Sequence, residues 1–198
     1  PINQQCRELI DAVKQELSEH GPDLPIYWGN RNWHPMLADT MRQMQTDGVK
    51  RALAFMTSAF SSYSGCRQYR EDVERAQAEV GDGAPQVEKL RVSYNHPGYI
   101  EPMRDLVKAA LDTIPVDRHT TTRIVYAAHS IPNAMATGCD YEKQLTESCR
   151  LVSEACSELP WKLVYQSRSG PPMQPWLEPD VCDYIKELHE SGDVTDVI

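Results

Sequence analysis

Apolar runs and amphipathic stretches alternate along this chain about every 30 residues, and no other feature narrows the fold as far. From Asn3 to His20, Leu9, Ile10, Val13 and Leu17 recur at helical spacing before Gly21-Pro22 stops the pattern. A short strand, PIYWG, is expected next, then a helix with Pro35 as its first residue, Met36, Leu37, Met41 and Met44 on one face and Gly48 past its end. RALAFMTSAF reads as a continuous apolar strand, SSYSGCRQYREDVERAQAEVG as a loop feeding a polar helix, and EKLRVSYN as a third strand. Ile100, Met103, Leu106, Val107, Ala110, Leu111 and Ile114 make one apolar helical stripe. Strand TRIVYAA follows, then a helix with Tyr141, Leu145, Val152 and Ala155 on one side, strand WKLVYQS, and a helix opened by Pro179. Val194, Val197 and Ile198 suggest one more strand. Such alternation implies a parallel sheet with helices on both faces.

In parallel α/β sheets, ligands bind beyond the carboxyl ends of the strands. Five loops therefore come forward together: GNRNWHP, TSAFSSYSGC, YNHPGY, HSIP and QSRSGPP. They are rich in Arg, His, Tyr, Ser and Gly, so polar groups gather where the fold expects a cleft. The linker-like stretch IPVDRHTTT divides the chain into residues 1–118 and 119–198.

Several function classes fall away. A net charge of -9, without clustered Lys and Arg, excludes nucleic acid as the main partner. No strand is followed by GxGxxG and no GxxxxGK motif occurs, so the phosphate-cradling signatures of nucleotide enzymes are missing. His129 and Ser130 are adjacent on an extended chain, which points them to opposite sides, and no GxSxG elbow is present, so they do not make a hydrolase pair. The apolar runs are too short for a membrane span and no signal peptide opens the chain, which makes the cytoplasm the default. The six cysteines show no CxxC pair and are expected as free thiols. What remains is a cleft with His129, His34, His96, tyrosines and Arg31, suited to a metal, an aromatic anion or both.

Three motifs in register change the odds. YWGNRNWHP resembles the glycine, basic residue and His-Pro segment of the ferrochelatase family. AAHSIP, with GCDYEKQLTES after it, resembles that family's Ala-His-Ser signature, and YQSRSGPPMQPWLEPDV its Gln-Ser and Pro-Trp-Leu signature. Each is weak alone; together they are specific, and they cover essentially the whole chain. The implied fold is α/β and chelatase-like: two Rossmann-type three-layer domains with parallel sheets, here incomplete at both ends. Residues 1–118 would be the remainder of the first domain and 119–198 the first part of the second. The glutamate that works opposite the active-site histidine is expected to lie beyond Ile198.

The resemblance implies insertion of Fe2+ into a porphyrin, protoporphyrin IX or coproporphyrin III, in haem biosynthesis. A flat macrocycle holds its nitrogen lone pairs in the ring plane, so distortion exposes them to the metal. His129 would face the pyrrole nitrogens as proton acceptor or as Fe2+ ligand, and imidazole chemistry alone leaves both open. Arg31 and Asn32 match positions lining the macrocycle, with Arg31 suited to a propionate. Ser61, Ser62 and Tyr63 are expected to contact a propionate or the ring, and Ser130, Gln166 and Ser167 to sit at the cleft. Tyr165 stands where the family commonly has Trp, a swap that keeps a packing role. Some family members hold a 2Fe-2S cluster through one internal and three later cysteines; Cys66 in YSGCRQY matches the first, with a free thiol as the plain reading. The SSYSGC and YNHPGY segments look like actinobacterial members, which tend towards coproporphyrin. Oligomeric state stays open, as does a peripheral membrane contact. The competing readings are a porphyrin- or metal-binding protein of the same fold without turnover, and a chelatase for another metal such as cobalt.

Overall fold

The structure is a computed structural model that describes residues 2–156 and 158–198. It is a mixed α/β protein in two units, one comprising Pro1–Ala54 and Glu71–Glu88, the other Phe55–Arg70 and Lys89–Ile198.

In the first unit, α1 spans Ile2–His20, α2 Leu37–Thr46 and α3, which begins just outside it, Gln68–Val80. Strands β1 (Arg51–Ala54) and β2 (Gln86–Lys89) pair in a two-stranded sheet. Met41, Val73 and Ala76 are buried, and the Thr40 hydroxyl is satisfied by donating to the Trp28 carbonyl at 2.9 Å. Gly48, at φ +79°, ends α2 in the left-handed conformation that favours glycine.

The sequence-based strands are overextended here. PIYWG forms no strand: ladder bonds need a neighbouring strand, and among the described residues none pairs with it. The helix expected to open at Pro35 opens at Leu37. Asn30 N–H donates to the Pro35 carbonyl at 2.8 Å and Leu37 N–H donates back to Asn30 at 2.9 Å, which closes the loop before the helix starts. RALAFMTSAF shortens to β1, with Leu53 and Phe55 exposed at 65% and 59%. EKLRVSYN contributes only Glu88 and Lys89 to β2.

The second unit holds the larger sheet. β3 (Thr122–His129) runs parallel to β4 (Trp161–Gln166) on one side and to β5 (Asp196–Val197) on the other, giving the order β4-β3-β5. The expected final strand is therefore real, in register with Thr122 and Arg123. Ile124 and Val164 are fully buried at its centre. The helices are α4 (Pro97–Leu111), the single turn α5 (Asn133–Ala136), α6 (Tyr141–Cys156) and α7 (Val181–Ser191). α6 packs on α4 and β4, and α7 on β4. Tyr141, Leu145 and Val152 are buried as their spacing implies, whereas Ala155 is exposed. In α4, Ile100 is buried but Leu106 is 64% exposed, so the apolar stripe is only partly covered. Pro179 lies just before α7, whose N-cap is Asp180: its carboxylate accepts from Cys182 N–H at 2.8 Å.

Candidate active site

The strand TRIVYAAH ends where a parallel strand delivers a side chain outward. Ala128 is buried, His129 exposed and Ser130 only 2% exposed, the alternation of an extended chain. The backbone around the histidine is held tightly. The Tyr141 hydroxyl donates to the His129 carbonyl at 3.0 Å, and Ser130 N–H donates to the Gln166 carbonyl at 2.8 Å. Ser130 Oγ donates to the Leu177 carbonyl at 2.9 Å. A cavity of about 390 Å³ has Ser130, Tyr165, Arg168, Glu178 and Asp180 on its walls. His129 is not among them, so imidazole and hydroxyl serve opposite sides of the chain, and His129 and Ser130 form no nucleophilic pair.

Gln166 lies across from His129 in the β3–β4 register, and both are exposed. Ser167 turns the chain at once, at φ +62°, a left-handed conformation that costs a residue with a Cβ roughly 1 kcal/mol. Tyr165 is buried in a cluster with Ala128, Tyr141 and Leu145, and desolvation pushes its hydroxyl pKa to about 12. The packing role read for it is what the structure has.

Between β1 and α3, Phe60 sets its ring edge-on to Tyr99 and Tyr141. Ser61 N–H donates to Gln144 Oε1 at 2.7 Å, and Gln144 Nε2 donates to Ser61 Oγ at 2.8 Å. Ser62 caps a π-helical turn, Tyr63–Arg67, its Oγ accepting from Gly65 N–H at 2.9 Å. A Cβ on Gly65 would stand 2.5 Å from Ser58 Oγ and 2.8 Å from the Phe60 carbonyl, so the turn closes only with glycine. Tyr63 is exposed beside it.

Cys66 lies half-buried in the same turn as a free thiol, and the other five cysteines are free too. A 2Fe-2S cluster needs four ligands. Among the described residues no group of three or more His, Cys, Asp or Glu side chains gathers to hold a metal, so this chain does not by itself assemble that set.

Arg31 and Asn32 belong to the first unit. The Arg31 Nε contacts Asp72 Oδ2 at 2.5 Å, and Arg75 approaches Oδ1 of the same 7%-exposed carboxylate at 3.1 Å. Asn32 is exposed. His34 is exposed with Trp33 edge-on to it. His96 caps α4, its Nδ1 accepting from Gly98 N–H at 3.1 Å, so it shapes the turn. Sequence reading missed Gln144 and Tyr141 as the groups that fix these loops. The available signal was polar side chains on the buried face of α6, beside Leu145, Cys149 and Val152.

Fold and site define an α/β protein with an exposed histidine at the end of a central parallel strand, flanked by hydroxyl-bearing loops. The ferrochelatase family model matches residues 1–198, and the chain belongs to that family. It is 60% identical over 191 residues to a ferrochelatase of Rhodopirellula baltica, covering 96% of this chain and 54% of the relative. It is 48% identical over 200 residues to a coproporphyrin III ferrochelatase of Nocardia farcinica, covering 97% and 57%. To a coproporphyrin III ferrochelatase of Streptomyces coelicolor it is 46% identical over 210 residues, covering 97% and 56%. The chain thus spans a little over half the length of these curated relatives. No helix among the described residues is long and apolar enough to cross a membrane.

Proposed function

We propose that this protein inserts Fe2+ into a porphyrin, protoporphyrin IX or coproporphyrin III, as a step of haem synthesis. The observation that carries the reading is His129: an exposed imidazole between buried neighbours, with its carbonyl held by the Tyr141 hydroxyl and the next residue, Ser130, held through its N–H by Gln166 and through its hydroxyl by Leu177. Metallation replaces two pyrrole N–H protons by one Fe2+, so two protons must leave. A neutral imidazole accepts protons near neutral pH and equally ligates a divalent iron in transit. Gln166, Ser167, Ser61, Ser62 and Tyr63 are the second unit's groups for the ring and its carboxylates, and Arg31 and Asn32 the first unit's, while Ser130, buried with its hydroxyl given to the Leu177 carbonyl, braces the chain behind His129. The sequence division at residues 118 and 119 is proposed as the boundary between two α/β domains of the whole protein. Similarity to relatives named coproporphyrin III ferrochelatase supports that porphyrin as the preferred substrate. The cytoplasm is the proposed compartment, with a peripheral membrane contact open to test by vesicle sedimentation.

The decisive experiment gives the whole protein Fe2+ anaerobically with each porphyrin and follows the absorbance of the metallated product. Turnover is expected, and His129→Ala is expected to lower it at least about a hundredfold with porphyrin affinity little changed. No metallation by the wild type, or an undiminished rate in the variant, rejects the assignment. Cys66 becomes a cluster ligand only with three further thiolates. Iron-sulfur absorption in anaerobically purified protein, lost in Cys66→Ser, tests it.

A further inference from the structure

Tyr141, Gln144 and Ser148 fall at i, i+3 and i+7 on α6, so they share one face of the helix. All three are buried, and each holds the backbone of a different loop. Tyr141 donates to the His129 carbonyl at 3.0 Å, Gln144 takes the Ser61 N–H at 2.7 Å, and Ser148 donates to the Tyr94 carbonyl at 2.6 Å. Gln144 does something the other two do not: it fixes the polarity of a hydroxyl. A main-chain N–H can only donate, so the amide atom facing Ser61 N must be Oε1. The other end is then Nε2, which also can only donate, and at 2.8 Å it fills a lone pair of Ser61 Oγ. The Ser61 proton is therefore turned away from α6.

We propose that Gln144 is a positioning residue that sets Ser61 as a hydrogen-bond donor for a carboxylate of the porphyrin. The proposal rests on the reading of Ser61 as a contact to the ring's acidic side chains. Ser62, next in an extended chain at φ -151° and ψ 175°, projects the other way and caps the π-helical turn, so the donor role falls to Ser61. A hydroxyl held this way discriminates: it favours an ionised carboxylate over the same group capped as an ester, because a charged acceptor makes the stronger bond.

The test compares, by fluorescence quenching in the whole protein, the affinities for coproporphyrin III and for its tetramethyl ester. Ser61→Ala is expected to lower the acid-over-ester ratio about tenfold. Gln144→Met should lower it as far, and the double variant no further, since both changes remove one interaction. Gln144→Glu is the sharper variant. It keeps the size and the acceptor for Ser61 N–H, yet its carboxylate draws the Ser61 proton to itself, so the ratio should fall as in Gln144→Met. A merely structural role would be rescued by glutamate, and a wild-type ratio in a folded Gln144→Glu overturns the proposal. Should Gln144→Met fail to melt cooperatively, Gln144→Glu alone decides. If Ser61→Ala lowers the ratio and Gln144→Glu does not, the positioning role fails and the Ser61 contact stands. If Ser61→Ala leaves the ratio unchanged, the contact itself is wrong.

Discussion

The two units fasten their candidate loops by different physics. In the second, His129, Ser61 and Tyr94 are held by hydrogen bonds from the uncharged side chains of Tyr141, Gln144 and Ser148 on one helix. In the first, Arg31 is held by the Asp72 carboxylate, which also meets Arg75. Uncharged anchors are each worth about 1 kcal/mol and carry geometry without a net field. A buried ion pair carries large opposing terms, so removing one partner costs far more than the pair contributes. The two regions should accordingly fail under different perturbations.

Alkali should produce the largest effect, and in the second unit. Burial pushes Cys149, Tyr126 and Tyr165 to about 12 from ordinary values of 9.0 for the thiol and 10.0 for the phenols. Folded values raised above unfolded ones mean that these groups stabilise the protein fully below about pH 9. That stability is lost as pH climbs from there through about 12. Melting temperatures measured from pH 7 to 11 should be flat and then fall steeply. A curve that stays flat to pH 11 would show those groups to be solvated.

Asp72→Asn comes next. Leaving the Arg31 guanidinium beside a neutral amide should cost about 2 kcal/mol in urea unfolding, less than a fully buried pair because the Arg31 side chain is 22% exposed. Loss below 0.5 kcal/mol would move Arg31 into the same class as surface pairs. Tyr141→Phe should cost about 1 kcal/mol, since it strands one carbonyl, and should slow metallation several-fold with the porphyrin KM unchanged. Arg51→Ala, which removes an exposed pair with Glu88 at 2.8 Å, should be the smallest, within about 0.5 kcal/mol.

Legibility followed burial. β3 and β4 are readable because Ile124, Val164 and Tyr165 are buried in a parallel ladder, and strands at the centre of such a sheet carry short, dense apolar stretches. PIYWG and the far end of RALAFMTSAF carry the same apolar composition, but a strand is a pairing, and composition does not name the partner. Helix openings erred by two residues at Pro35 and Pro179. There the loop's own bonds, Asn30 to Pro35 and Leu37, and Tyr165 to Pro179, outrank the local preference of proline for a first turn. His129 could be found because it ends a strand. Gln144 could not be found by motif, since its meaning is a contact 83 residues away along the chain.

The segment after β4 leaves the sheet at Gln166 and is drawn shut at its neck. Tyr165 N–H meets the Pro179 carbonyl at 2.8 Å, and Ser130 Oγ and Ile131 O bind the carbonyl and the N–H of Leu177. Met173, at the far end, is 93% exposed. A loop cinched at its base isolates its tip mechanically, so insertions, tags or protease nicks near Met173 can be absorbed without disturbing the strand ends that carry His129 and Gln166. This makes the tip a natural place for an experimenter to attach a fluorophore.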